Sequence, residues 1–130
     1  MVLVDSSVWI AYFNGVVAAE TERLDRLLGQ EPVGLGDLIL AEVLQGFRRD
    51  KGYLAARRLL TSLSVFDLLG EALAIKSADN YRRLRSKGIT TRKTADVIIG
   101  TFCIENGYPL LHADKDFLPL ISHLNLRSAL

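Results

Sequence analysis

Blocks of apolar residues separated by polar ones predict strands and helices in alternation along this chain. Val2 to Val4 form a short continuous apolar run that ends at Asp5, as in a strand buried on both faces. Ser6 and Ser7 open the next turn. Leucines at helical spacing predict a helix over residues 21–28 that glycine ends at position 29, and a brief strand follows over residues 32–35.

The pattern of alternating elements continues to the last third of the chain. Asp37 suits the N-cap of a helix over residues 38–47, whose apolar side chains repeat every three or four positions. Next come a helix over 53–63, a strand over 64–68 and a helix over 71–86 that Gly88 ends. Thr94 caps a helix over 95–106 that is apolar almost all round, and Gly107 closes it. A strand over 108–113 runs into Asp114, and residues 118–130 provide one small element.

Strands that alternate with helices imply crossover connections and therefore a parallel sheet. We expect an α/β fold with a central, mainly parallel sheet of four to five strands and helices on both faces. The 130 residues suit a single domain over 1–130, long enough to bury a core without disulfides. In such sheets functional groups gather at the carboxyl ends of the strands.

The composition is that of a folded globular protein. Hydrophobic residues make up 49% of the chain and charged residues 24%, which excludes a disordered chain. The single Cys103 lies between apolar neighbours and cannot form an internal bridge, so we expect a buried thiol and a reducing, cytoplasmic location. The first residues carry no basic leader and are interrupted by Asp5, which argues against a signal peptide or a membrane span.

Four carboxylates stand where this fold would bring them together. Asp5 and Asp114 follow strands, whereas Glu42 and Asp96 enter from helices. An acid in the first turn of a helix points toward the same rim of the sheet as the strand ends. Hard divalent ions such as Mg²⁺ and Mn²⁺ prefer carboxylate oxygens, and a phosphodiester needs a cation to offset its charge. The set therefore indicates metal-dependent phosphate chemistry.

Each acid also has a purely structural explanation. Asp5 is compatible with a turn or a helix cap, and Asp96 with the helix dipole. Glu42, within an apolar helix, needs a metal or an arginine partner to offset its desolvation. Asp114 and Asp116 suit a solvated turn, and Asp116 is close enough to share or replace the role of Asp114. The joint occurrence of these acids favours the metal site.

The sequence gives less support to other kinds of catalytic site. Ser7 offers a hydroxyl that holds a neighbouring carboxylate or forms a turn, and we assign it a supporting position. His112 and His123 lack the spacing of zinc ligands, and there is neither a glycine-rich phosphate loop nor a Gly-x-Ser-x-Gly elbow. A phosphatase that forms a phosphoaspartate needs a second Asp where this chain has Ser7.

Positive charge is local rather than global. The net charge is only +1, yet six basic residues and no acid lie between Arg82 and Lys93. This stretch is a candidate surface for the backbone of a nucleic acid, with a solvated helix face as the alternative. The candidate contacts are Arg85, Lys87, Arg92 and Lys93.

Four segments together resemble the PIN-domain ribonucleases, and specifically the VapC toxins of toxin–antitoxin pairs. The segments are VLVDSSVWIAYF with Asp5, DLILAEVLQGFR with Glu42, ITTRKTADVIIGTFCIENG with Asp96, and PLLHADKDF with Asp114 and Asp116. They span nearly the whole chain in the order and spacing of that family. His112 departs from the pattern, because the family more often has Thr or Ser there.

The resemblance implies an endoribonuclease, dependent on Mg²⁺ or Mn²⁺, that acts as the toxin of a type II toxin–antitoxin system. It also implies an RNA substrate, a homodimer and a VapB-type antitoxin that covers the acidic pocket. Two alternatives stay open at this point. One is a stand-alone PIN nuclease in RNA maturation, and the other is a catalytically inactive module that binds RNA or protein.

Overall fold

The computed structural model describes residues 1–91 and 93–130, so the predicted RNA contact Arg92 lies outside the described residues. Strands and helices alternate as the sequence predicts. In chain order they are β1 (Val2–Val4), α1 (Ser6–Phe13), α2 (Ala19–Leu27), β2 (Val33–Gly36), α3 (Asp37–Leu44), α4 (Asp50–Thr61), β3 (Ser64–Phe66), α5 (Glu71–Ser86), α6 (Thr94–Asn106), β4 (Leu110–Leu111), a 3-10 turn (Lys115–Phe117) and α7 (Leu118–Leu124).

The described strands form one four-stranded sheet in the order β3-β2-β1-β4. Every pair is parallel: β1 pairs with β2 and with β4, and β2 pairs with β3. The prediction of a mainly parallel sheet of four to five strands is confirmed. Because parallel strands end at the same edge, the carboxyl ends of the neighbours β1 and β4 lie side by side. The backbone N–H of Asp5 donates to the carbonyl of Leu111 at 2.9 Å, which fixes this juxtaposition.

The burial of each strand follows its place in the sheet. All residues of the central strand β1 are buried, including Leu3 and Val4 at 0% exposure. Successive side chains of a strand point to opposite faces, so both faces at this position are covered. At the edge, β3 leaves Ser64 and Val65 exposed. The unbroken apolar run at the start of the chain is thus explained by a central strand.

Helix α1 is the main element that the sequence analysis missed. Residues 6–13 are apolar almost throughout, so no polar face marks a helical period, and only a turn is predicted there. Val8 and Trp9 are fully buried, and the Trp9 and Phe13 rings stack at 5.9 Å between centroids. Tertiary packing rather than amphipathic pattern accounts for this helix. No helix within residues 1–91 and 93–130 has the length and apolar character needed to cross a membrane.

Several element boundaries differ from the prediction. Gly36 is the N-cap of α3, and Asp37 is its first residue. The Asp37 Oδ1 accepts hydrogen bonds from the backbone N–H groups of Leu38 at 2.8 Å and Leu68 at 3.2 Å. Helix α4 begins at Asp50 instead of position 53, and β4 is limited to two residues. Gly107 adopts a left-handed conformation, φ 69°, and ends α6 as predicted.

Gly36 permits the close contact between the end of β2 and the segment after β3. A Cβ atom at this position would lie 2.3 Å from both Cγ and Cδ1 of Leu68, which is 3% exposed. The overlap involves the Cγ branch point of the leucine, so a rotation about χ2, which leaves Cγ in place, does not relieve it. At Gly46, by contrast, the nearest atom to an added Cβ is the Val43 carbonyl oxygen at 3.5 Å, an ordinary contact.

We expect Gly36→Ala to lower the free energy of unfolding by about 1–3 kcal/mol, because the added methyl overpacks a filled site. Urea denaturation measures this change. Gly46→Ala is the matched control and should stay within about 0.5 kcal/mol of the wild-type protein, as expected away from such contacts. Equal stability of the two variants would contradict the role given to Gly36.

Candidate active site

Asp5 occupies the junction between β1 and α1 and serves as the N-cap of that helix. Its Oδ2 accepts hydrogen bonds from the Ser7 backbone N–H at 3.0 Å and from the Ser7 hydroxyl at 2.6 Å. The residue is only 3% exposed. The capping role weighed in the sequence analysis is therefore real, and it holds one carboxylate oxygen in a fixed position.

Ser7 connects the ends of two adjacent strands. While its hydroxyl donates to Asp5, its Oγ accepts a hydrogen bond from the Ala113 backbone N–H at 3.1 Å. Ala113 lies between β4 and Asp114. A single hydroxyl therefore fixes the Asp5 carboxylate relative to the segment that carries Asp114. This geometry agrees with the supporting position predicted for Ser7.

Glu42 projects from α3 and is half-buried. Its Oε1 is buried and has no hydrogen-bond partner among the described residues. Burial raises the pKa of this carboxyl, the charge of Asp5 raises it further, and the Lys93 ammonium acts in the opposite direction. The described residues place no lysine or arginine within 4 Å of it, so the ion pair considered above is not found there.

Asp96 lies in the first turn of α6 and is 7% exposed. Its pKa is raised to about 7, mainly by burial and further by the negative charges of Asp5 and Asp114. Its Oδ2 is buried without a hydrogen-bond partner among residues 1–91 and 93–130. An acid placed there for the helix dipole would have a lowered pKa, so the dipole does not account for this environment.

Asp114 and Asp116 complete the cluster from the turn after β4. The Asp114 Oδ1 accepts from the Asp116 backbone N–H at 2.9 Å, and its Oδ2 accepts from the Lys93 ammonium at 3.3 Å. The first of these bonds, followed by Lys93, lowers the pKa of Asp114. Asp96, Asp114 and Asp116 each offer a carboxylate oxygen within 4.8 Å of the others. Both acids of the turn therefore reach the site.

The described structure brings three of the five acids into one cluster. Asp96, Asp114 and Asp116 are within ligand distance of one another, and the charge of Asp5 acts on both Asp96 and Glu42. The convergence of Asp96 and Asp114 is seen in the described structure, together with Asp116, and the assignment of all these acids as ligands stays a prediction. All available ligands are carboxylate oxygens, the donors that Mg²⁺ and Mn²⁺ prefer. Two buried oxygens without partners fit a cation that would satisfy them.

The basic residues predicted to contact RNA occupy two different places. Arg85 and Lys87 are exposed at the carboxyl end of α5, where the Arg85 guanidinium lies 5.7 Å from the centre of the Tyr81 ring. Lys93 instead lies beside the acids, 3.3 Å from Asp114 and 4.0 Å from Asp116. The sequence analysis missed this second role, although the position of Lys93 three residues before Asp96 pointed to it.

His112 supports the turn that carries Asp114. Its Nδ1 lies 3.1 Å from the Asp114 carbonyl oxygen, and its ring centroid is 5.1 Å from that of Phe117. The departure from the family pattern therefore adds a contact to the turn and leaves the acids in place. Cys103 is fully buried, and burial raises the pKa of its thiol to about 12, so the structural role predicted for it is confirmed.

Comparison with known proteins finds relatives over the whole length of this chain. The curated relatives include VapC ribonuclease Mb1587 of Mycobacterium bovis and ribonuclease VapC11 of Mycobacterium tuberculosis. Each is 29% identical over 132 residues, covering 99% of this chain and 98% of the relative.

Solved structures share the fold. The VapBC2 complex of Rickettsia felis, bound to a promoter DNA fragment, matches with a TM-score of 0.76 at 15% identity, over 98% of this chain and 97% of that chain. VapC20 of Mycobacterium tuberculosis, a toxin that cleaves the sarcin-ricin loop, matches with a TM-score of 0.67 at 21% identity, over 91% and 93%. The model of the PIN domain matches residues 2–120, and on this ground the chain belongs to the PIN domain family.

Proposed function

We propose that this protein is a metal-dependent endoribonuclease and the toxin of a type II toxin–antitoxin pair. The observation that carries the proposal is a pair of buried carboxylate oxygens, Glu42 Oε1 and Asp96 Oδ2, which lie near further acids and lack hydrogen-bond partners in the part of the chain that the structure describes. Carboxylates gathered without a cation repel one another, which makes such a cluster costly for a protein that does not use it. The names of its VapC relatives supply the class of reaction.

Asp5, Glu42, Asp96 and Asp114 would hold one or two Mg²⁺ or Mn²⁺ ions, with Asp116 as an additional ligand. The ions supply Lewis acidity, which activates water as the nucleophile and offsets the charge of the scissile phosphate. Asp96 must lose its proton before it can serve as a ligand, because its pKa is about 7.

The remaining residues position these acids and the substrate. Ser7 holds the Asp5 carboxylate. The Lys93 ammonium, which contacts Asp114, is placed to contact a phosphate of the RNA instead. Arg85, Lys87 and Arg92 stay predicted contacts of the RNA backbone.

The cellular setting is part of the proposal. We infer a single-domain chain that acts in the cytoplasm, forms a homodimer and is inhibited by a VapB-type antitoxin. The buried, reduced thiol of Cys103 suits that compartment. Co-expression with the cognate antitoxin should relieve growth arrest, and arrest that persists with folded, bound antitoxin in excess would contradict the toxin role.

Sequencing RNA ends after a short induction tests the nuclease activity. Wild-type protein should create new ends at defined sites, and Asp5→Asn should create none, because the amide keeps the helix cap but loses the charge that binds metal. Purified wild-type and Asp5→Asn proteins are then incubated with RNA, once with Mn²⁺ and once with a chelator. Cleavage under these conditions distinguishes direct action of the protein from a cellular response. The absence of new RNA ends with the wild-type protein, both in cells and with purified protein, would contradict the proposal.

Ser7→Ala should weaken Mn²⁺ binding roughly 10- to 100-fold, the usual effect of removing a group that orients a metal ligand. The variant loses the hydroxyl that donates to Asp5 and accepts from Ala113. Isothermal titration calorimetry measures the affinity. Ser86→Ala is the control, since the exposed Ser86 hydroxyl donates to the Arg83 carbonyl oxygen of its own helix. Unchanged affinity in both variants would exclude the role of Ser7.

A further inference from the structure

A cleft of about 420 Å³ adjoins the acidic site on the side of α7. Asp114 belongs both to the acidic cluster and to the wall of this cleft. Other lining residues are Glu20, His112, Lys115, Leu118 and Ile121. An RNA strand with its phosphate at the acids therefore has this cleft as the neighbouring space for a nucleoside.

We propose that the cleft is a nucleoside subsite that receives the base next to the scissile phosphate. This inference rests on the proposed nuclease function and adds the part of the site that reads sequence. The volume lies within the range of small-molecule sites, roughly 300–1,000 Å³. RNA that is cut in loops or single strands presents unstacked bases, which proteins hold against flat or apolar side chains.

The two sides of the cleft offer different chemistry. Leu118 is 50% exposed and, with the partly buried Ile121, forms an apolar wall against which a base can lie. Lys115 is exposed and also lines the cleft, so its ammonium can contact a phosphate next to that base. An apolar surface beside a cation matches a nucleotide better than it matches a purely apolar ligand.

Two polar residues of the cleft, His112 and Glu20, can accept hydrogen bonds. His112 Nδ1 faces the Asp114 carbonyl oxygen at 3.1 Å, so in the neutral ring Nδ1 carries the hydrogen and Nε2 is the acceptor. Glu20 adds a carboxylate. Acceptors of this kind pair with exocyclic amino groups, as a carboxylate does with the amino group of cytosine. The subsite should therefore favour a base with an exocyclic amino group over uracil.

Cleavage of a random single-stranded RNA pool tests the subsite. Leu118→Glu should reduce cleavage roughly 10- to 100-fold, because a negative charge replaces the surface that supports the base. Leu54→Glu is the matched control, since Leu54 is 53% exposed on α4 and lies outside the cleft.

Glu20→Gln should change the base preferred at one position beside the cut while Mn²⁺ affinity stays unchanged. Equal cleavage by the two leucine variants, or an unaltered preference with Glu20→Gln, would overturn the inference while the nuclease function stands.

Binding provides a readout that does not depend on cleavage. A pool of 2′-O-methyl RNA hexamers, added to the Asp5→Asn protein, should shift the NMR signals of the Leu118 methyl groups and the His112 ring and leave the Leu54 methyl groups in place. These shifts together with absent cleavage by the wild-type protein would retain the subsite and reject the nuclease. No shift at Leu118 or His112 at saturating RNA would reject the subsite.

Discussion

Asp96→Asn is expected to abolish RNA cleavage and yet, without divalent ions, to unfold at a higher temperature than the wild-type protein at pH 8. Cleavage is lost because the amide does not supply the anionic oxygen that a metal ligand requires. Stability rises because the wild-type carboxylate is held among like charges, and its buried Oδ2 has no hydrogen-bond partner among residues 1–91 and 93–130. The Asn amide has two donors that can meet the neighbouring carboxylates.

The sign of this effect follows from the raised pKa. Between the unperturbed value of 3.8 and about 7, the folded protein binds more protons at Asp96 than the unfolded chain does. The stabilising contribution of the protonated carboxyl is therefore complete at low pH and is lost as the pH rises through about 7. Asp96→Asn should gain on the order of a few kcal/mol over the wild-type protein at pH 8, and the gain should shrink toward pH 5.

Asp114→Asn provides the opposite control. The pKa of Asp114 is lowered by the Asp116 backbone and by Lys93, so its charged form stabilises the fold above its ordinary pKa. This variant should also lose cleavage but should be less stable than the wild-type protein at pH 8. Thermal unfolding in a chelating buffer from pH 5 to pH 8 distinguishes the two. If both Asn variants changed stability in the same direction, the electrostatic account of Asp96 would be wrong.

Affinity for Mn²⁺ should depend steeply on pH below about 7. A carboxyl has to be deprotonated to bind a metal, and Asp96 holds its proton up to that pH. Each pH unit below 7 should therefore weaken binding roughly tenfold, and about hundredfold weaker binding is expected at pH 5. The raised pKa of Glu42 acts in the same direction.

Calorimetric titration in buffers of different ionisation enthalpy would measure both the affinity and the protons released. Release of about one proton per site is expected near pH 6, falling toward zero at pH 8. The Ser86→Ala protein should show the same profile as the wild-type protein. Affinity that is constant from pH 5 to pH 8 would falsify the assignment of Asp96 as a ligand that titrates near 7.

Local signals in the sequence were sufficient for most of the fold. The run Val2–Val4 predicts a central strand because burial on both faces leaves no alternation. Helix α6 follows from its apolar content and from Gly107, whose left-handed conformation ends it. Helix α1 was missed because its exposed side is apolar as well. Ile10 is 45% exposed, so no polar stripe marks a helical period in the sequence.

The candidate site was predictable in its members but not in its internal contacts. Strand ends and helix starts were enough to bring Asp5, Asp96 and Asp114 to one edge of the sheet. The ion pair between Lys93 and Asp114 depends on the turn after β4, which no local pattern defines. The absence of an ion pair at Glu42 among the described residues likewise depends on side chains that are far apart in sequence.

The order of the sheet also bears on how the protein is made. Asp5 is in the first strand, whereas Asp114 follows β4, which pairs with β1 only after most of the chain has been synthesised. Domains fold as units while the ribosome elongates the chain. A nascent chain therefore carries Asp5 long before it carries Asp114, and its acidic site stays incomplete during translation. The acids of the candidate site therefore come together only near the end of synthesis.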